Sequence, residues 1–219
     1  GQYYDVQLRQ LMGHLLFEKK EYNKALPYLA QYVSTQKKVE TQDLYQLSFC
    51  YFQSQEWSKA IDGFKQLANI EDSLGQNSMY LLATSYLKTK DKLGAKNAFL
   101  FCSTQSQNLL QKEISLFNYG KLSVELKEYA QAVVSLDQFM DTYPNSTYLI
   151  ESKQLWVKAL ALNNNYVQAL AAFETIETPN DELFKIAGND KNLAKLIILT
   201  HLTTTRKYLS DIGISGWYF

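Results

Sequence analysis

The sequence predicts an all-α fold of stacked antiparallel helix pairs. Three observations carry that prediction. Apolar residues recur at steps of three and four along most of the chain, which is the period of an amphipathic helix. Five alanines, Ala25, Ala60, Ala95, Ala132 and Ala169, follow one another at steps of 35, 35, 37 and 37 residues, so the pattern repeats. Only 3 prolines and 9 glycines occur in 219 residues, as long helices joined by tight turns require.

The alanines set a register of five units, 6–39, 41–74, 76–109, 113–146 and 150–179. Each predicts two helices joined by a short polar turn, with Ala at position 20. In the first unit Gly13 stands at position 8, Tyr22 at 17 and Leu29 at 24. In the second, Ser48, Trp57 and Phe64 hold those places, and in the third Ala83 and Phe99 hold 8 and 24. The fourth unit, EISLFNYGKLSVELKEYAQAVVSLDQFMDTYPNS, is the most complete: Gly120, Tyr129, Ala132, Leu136 and Pro144 occupy 8, 17, 20, 24 and 32. The fifth has Trp156 and Val157 at 7 and 8, then Tyr166, Ala169 and Phe173. Its Val157 in place of a small residue predicts a wider or shifted helix pair. Small residues at 8 and 20 let antiparallel helices approach to about 8–10 Å, so Gly120 and Ala132 are expected to touch.

Between units, Ser34–Thr41, Glu71–Gln76, Ser103–Gln111 and Thr142–Thr147 read as polar loops, with Ser146 as a helix N-cap. Lys19-Lys20-Glu21 and Lys127-Glu128 read as solvated turns inside pairs, and Glu71-Asp72 and Asp181-Glu182 as charges at helix starts. Beyond Pro179 the register stops. Asp190–Ser210 carries apolar residues for one helix, so 180–219 is expected to be a capping helix and tail. Gly1 in place of Met, with helical pattern starting almost at once, predicts a piece of a longer protein.

Composition narrows the function classes. Lys plus Arg is 22 and Asp plus Glu is 22, so a nucleic-acid groove is not expected. No apolar run approaches 18 residues, so direct membrane insertion is not expected. Motifs of nucleophilic, phosphate-binding and metal catalysis are absent; no catalytic residue, cofactor or metal site is assigned. His14 and His201 are far apart in sequence. Cys50 and Cys102 lack paired spacing and are expected to be buried free thiols. Tyrosine is the outlier, at 16 residues.

The recurring pattern of small residue, aromatic, alanine and large apolar residue, closed by a terminal proline only in the fourth unit, resembles the tetratricopeptide repeat. It departs from that pattern at position 4, which is Arg9, Leu44, Met79, Leu116 and Lys153 instead of tryptophan. Position 27, often alanine in the family, is Tyr32, Leu67, Cys102, Phe139 and Ile176. The resemblance implies a right-handed superhelical solenoid of about five helix pairs plus a C-terminal helix. It implies a protein-interaction scaffold without catalysis, binding a peptide or partner protein in a concave groove lined by the first helix of each pair. Positions carried over from the family place Gln10, His14, Tyr45, Phe49, Phe52, Asn77, Tyr80, Phe117 and Lys121 in that groove. Rings beside amides suit an extended or helical peptide. Packing between first helices is the competing role for Phe49 and Phe52. The first three inner helices lack the basic residues with which chaperone-binding members clamp a carboxylate. Tyrosine-rich repeats ending in YPNS look like long repeat proteins of the Gram-negative cell envelope, which implies the periplasm. Glycan binding on exposed rings at an outer membrane is the alternative. Neighbouring repeats of a longer parent, or a second copy, are the other partners expected, because Leu8, Leu11, Leu15 and Leu16 exceed what one partner helix covers.

Overall fold

The structure is a computed structural model, which describes residues 1–165, 168, 169, 171 and 172. Those residues form nine helices and no strand: α1 Gln2–Glu18, α2 Tyr22–Ser34, α3 Thr41–Gln53, α4 Trp57–Lys65, α5 Ser73–Lys88, α6 Lys92–Ser103, α7 Leu109–Glu125, α8 Tyr129–Thr142 and α9 Leu149–Leu162. The all-α repeat of helix pairs is therefore as predicted. The chain falls into two compact units, Gly1–Tyr119 and Gly120–Phe219.

In the first unit α1 packs on α2, α3 on α4 and α5 on α6, and α2 and α4 each also pack on the helix that follows. The alternation follows from the apolar stripes. Ala25 and Leu29 of α2 and Leu47 and Cys50 of α3 form one buried cluster, with Leu16, Phe17, Tyr22 and Tyr51 packed against it. Each fully buried leucine contributes about 1.5–3 kcal/mol of transfer free energy, so this stripe holds the pairs together. Ala25, Ala60 and Ala95 are all fully buried at their shared position. In the second pair a small residue on the second helix faces the small residue at position 8: a Cβ on Gly63 would lie 1.9 Å from Ser48 Oγ.

The turn inside each pair has one geometry. Three residues separate α1 from α2, α3 from α4, α5 from α6 and α7 from α8. The middle residue is left-handed in every case: Lys20 at φ 60°, Gln55 at 59°, Lys90 at 63° and Lys127 at 62°. Asn164, after α9, repeats it at 62°. The next residue then donates its N–H five residues back, Glu21 to Leu16, Glu56 to Tyr51, Asp91 to Tyr86, Glu128 to Ser123 and Asn165 to Leu160. This satisfies a carbonyl that the helix end would otherwise orphan, and it reverses the chain without glycine.

In the second unit the end of α7 meets α8, and α8 meets α9. Val124, Ala132, Leu136 and Ala159 form the buried cluster. A Cβ on Gly120 would meet Leu136 first, with Ser135 beside it. Position 20 is fully buried here too, but the leucine one turn later fills the space a side chain at position 8 would need.

Three expected boundaries move. Helix α5 begins at Ser73, because Asp72 caps it by accepting the Gly75 N–H at 2.8 Å. Helix α7 begins at Leu109, because Asn108 caps it by accepting the Gln111 N–H at 3.0 Å. Ser146 is not the N-cap of α9: Tyr148 is, and Ser146 Oγ accepts the Tyr148 N–H at 3.2 Å, one turn ahead of the helix. Val157 and Ala169 are buried. The spacing of the fifth pair, Tyr166, Phe173, the 180–219 helix and tail, Asp181-Glu182 and His201 lie outside the described residues.

Candidate functional site

Among the described residues no group of three or more His, Cys, Asp and Glu side chains could hold a metal ion, and no helix is long and apolar enough to cross a membrane. The informative surface is the row of first helices in the first unit. Successive first helices are stitched by polar side chains at inner positions. Asp43 at the start of α3 is 2% exposed. His14 Nε2 lies 2.6 Å from its Oδ1, and Gln10 Nε2 donates to its two oxygens at 3.3 and 3.2 Å. From α3 to α5 the link is Asn77 Nδ2 donating to Tyr45 Oη at 2.5 Å. From α5 to α7, Gln111 Nε2 donates to Asn77 Oδ1 at 2.7 Å. Beside this row, buried Gln76 accepts the Asn108 N–H at 2.7 Å and donates back to Asn108 O at 2.9 Å, which pins the loop before α7.

These bonds give the expected groove residues two roles. Gln10 and His14 are brought to one carboxylate and are half-buried against it. Tyr45 and Asn77 are brought to each other. Burial pushes the Tyr45 phenol above its ordinary value, and the Asn77 amide offsets part of the rise. Phe49 meets Phe17 of α1 at 5.5 Å between ring centroids, Tyr22 of α2 at 5.1 Å and Tyr45 at 6.0 Å. Phe52 stands edge-on to Trp57 at 5.3 Å. Both phenylalanines thus serve as packing while remaining half open. Tyr80 stands edge-on to Phe99 within the third pair. Phe117 is only 3% exposed, so it belongs to the core and not to an open surface. In the second unit Lys121 Nζ meets Glu151 Oε1 at 2.7 Å, again between inner positions.

A cleft of about 330 Å³ opens on the first unit. Phe17 and Glu18 of α1, Gln42, Tyr45 and Gln46 of α3, and Ser73, Leu74 and Asn77 of α5 line it. Of the nine groove residues assigned from sequence, Tyr45 and Asn77 line it, and Phe17, Glu18 and Gln42 stand at further inner positions of the same pattern. Gln46 was not among them, because it stands one residue beyond Tyr45, outside the inner positions carried over from the family. The signal lies in its neighbours: Tyr45 and Gln42 flank it on one helix face, and rings beside amides mark a half-wet site. The residues at the cleft can bind by hydrogen bond, ring contact and one carboxylate, but they hold no nucleophile paired with a base.

The tetratricopeptide repeat family model matches residues 44–70 and 115–146. No curated protein sequence matches the chain. Among solved structures, the fold is similar to that of MamA protein at 14% identity and a TM-score of 0.55, covering 77% of this chain and 88% of that one. It is also similar to the apo form of RapI at 18% identity and a TM-score of 0.50, covering 95% of this chain and 86% of that one. At such identities the likeness is one of fold.

Proposed function

We propose that this chain, two stretches of which match the tetratricopeptide repeat model, is a protein-interaction scaffold that works by binding, with no catalytic step of its own. The partner is a segment of another protein held along the first helices α1, α3 and α5. The observation that supports this reading is the cleft itself, where the Phe17 and Tyr45 rings and the Gln42, Gln46 and Asn77 amides converge. Rings give contact area at low entropy cost, and amides read a backbone, which is the chemistry of peptide capture. Tyr45, Asn77 and Tyr80, with the open parts of Phe49 and Phe52, are the contact residues of this proposal. Gln10 and His14 join them through whatever their bonds to Asp43 leave uncovered, and in the second unit Lys121 is a contact residue of its own, beside its ion pair with Glu151.

The outer face of α1 supplies a second surface, with Tyr4, Leu8, Leu11 and Leu15 all exposed. A second copy or a preceding repeat would cover it. A place in the periplasm or cell envelope belongs to the same proposal, supported by the tyrosine-rich repeats, and fractionation of the native host tests it.

The scaffold reading is tested by quantitative affinity capture from the native host, comparing wild type with Tyr45→Ala/Tyr80→Ala after both are shown to be folded by circular dichroism. Selective loss of specific partners by the variant is expected. An unchanged partner set overturns the groove as the binding surface.

A further inference from the structure

We infer that the cleft between α1, α3 and α5 seats an arginine side chain carried on an extended segment of the partner protein. This rests on the scaffold reading above and adds the chemistry of what is recognised. Two observations point to a cationic donor. First, Gln46 is 3% exposed, and its Oε1 is buried with no hydrogen-bond partner. A buried acceptor left unmet costs about 1–3 kcal/mol, so a ligand that brings an N–H there recovers that loss. Second, Glu18 lines the same cleft, and no cation among the described residues pairs with its carboxylate.

The rest of the lining agrees in sign. No lysine or arginine lines the cleft, so a carboxylate or phosphate would find no counter-charge. Gln42 and Asn77 add amide oxygens, and Phe17 and Tyr45 present rings. A cation within about 6 Å of an aromatic face is attracted by the ring quadrupole. Among biological cations the guanidinium fits best. It is planar, it is weakly hydrated, and its five donors can meet the Glu18 carboxylate and, once the Gln46 amide turns toward the cleft, its Oε1, while its face lies on a ring. An ammonium is a compact, strongly hydrated point charge and loses more on leaving water. The volume of about 330 Å³ suits one long side chain with the backbone that carries it.

The test is a titration of isotope-labelled protein, at physiological salt, with the capped pentapeptide acetyl-Gly-Gly-Arg-Gly-Gly-amide. Counterparts carrying citrulline, lysine, glutamate or norleucine in place of arginine are titrated alongside. The side-chain amide signals of Gln46 and Gln42 are the reporters. The arginine peptide is expected to shift them saturably, and the neutral citrulline peptide to bind at least about fivefold more weakly. Glu18 is exposed, so Glu18→Gln leaves the fold intact and is expected to weaken the arginine peptide by roughly fivefold. Gln46→Met, close in volume, is expected to melt near wild type and to lose the preference for arginine over norleucine. Equal affinity for arginine and citrulline peptides, shifts lying outside the cleft, or an unchanged affinity in Glu18→Gln overturns the inference. If no peptide binds while Tyr45→Ala/Tyr80→Ala still loses its captured partners, the arginine inference falls and the scaffold reading stands. If the arginine peptide binds as expected while that variant keeps every partner, the cleft chemistry stands and the groove reading falls.

Discussion

Leu136 occupies the space that any side chain at Gly120 would need: a Cβ there would lie 2.6 Å from Leu136 Cδ2 and 2.8 Å from its Cγ. The same relation recurs 107 positions earlier, where a Cβ on Gly13 would lie 2.7 Å from Leu29 Cδ2. Both leucines are fully buried and have no room to turn away. In the first and fourth units a glycine at position 8 thus stands against a leucine at position 24. Gly120→Ala gains up to about 1 kcal/mol of helix propensity. It also forces an overpacked contact that costs about 1–3 kcal/mol, so the net effect is destabilising. In Leu136→Ala, which empties the contested space, Gly120→Ala should become neutral or stabilising. Urea melts of the four proteins measure this coupling. Additive losses would show that Leu136 is not what constrains Gly120.

Ala132 remains a tight site although it is not the glycine's nearest neighbour. It is fully buried between α8 and its neighbours Leu136 and Ala159. Ala132→Leu is expected to cost about 1–3 kcal/mol by overpacking. A thermal melt matching wild type would contradict the register on which the five units were aligned.

The left-handed turn residues carry a different expectation. Lys127 sits at φ 62° and Lys90 at 63°, both exposed, and a left-handed residue with a Cβ is strained by about 1–2 kcal/mol. Lys90→Gly and Lys127→Gly are each expected to stabilise by about 0.5–1 kcal/mol, once the entropy glycine adds to the unfolded chain is subtracted. Lys90→Ala and Lys127→Ala keep the Cβ and should gain nothing. Equal gains from alanine and glycine would locate the effect in lost charge repulsion instead.

What the sequence made legible was the part of the fold set by residue size at a fixed period. Ala25, Ala60, Ala95 and Ala132 are fully buried because helix packing tolerates nothing larger there, and that constraint shows in every unit. The turns were hidden although they repeat as faithfully. Lys20, Gln55, Lys90 and Lys127 reach the left-handed region without glycine, so no residue type advertises it. The groove was half legible. Positions alone brought Tyr45 and Asn77 to the cleft, but they also placed Phe117 there, which is buried. An apolar ring at an inner position serves either role, and only the neighbouring helix decides. Asp43 was missed outright. A charge in the first turn of a helix normally points to water, and its partners lie 29 and 33 residues away.

That buried carboxylate makes a further prediction. Asp43 takes its hydrogen bonds from His14 and Gln10, so it fastens α3 to α1. Asp43→Ala should cost about 1–3 kcal/mol, the range for losing a charge-assisted bond. His14 is half-exposed and can turn to water, so His14→Ala should cost less than Asp43→Ala. In the Asp43→Ala background His14→Ala should cost almost nothing. Denaturant melts of this cycle decide the role of His14. Independent, additive effects would free His14 for the groove alone.

The outer face of α1 is where self-association should begin. Tyr4, Leu8, Leu11 and Leu15 follow one another at steps of four, three and four, so they lie along one side of the helix. Leu8 is 57% exposed, Leu11 55% and Leu15 48%, whereas Gly13 on the opposite side is closed over by Leu29. Contiguous apolar surface of this kind marks an interaction site more often than a bare helix face. Repeat arrays bury such faces by stacking one pair on the next. A second copy of the chain, or a neighbouring repeat, offers the complementary stripe. Sedimentation at rising concentration is therefore expected to show a monomer giving way to a dimer. Leu8→Lys places a charge in the middle of the stripe and should hold the protein monomeric without lowering its melting temperature, because the side chain it replaces makes its contacts with solvent. A wild-type protein that stays monomeric at every concentration would show that this face needs no cover. A Leu8→Lys protein that dimerises like wild type would move the contact elsewhere on the surface.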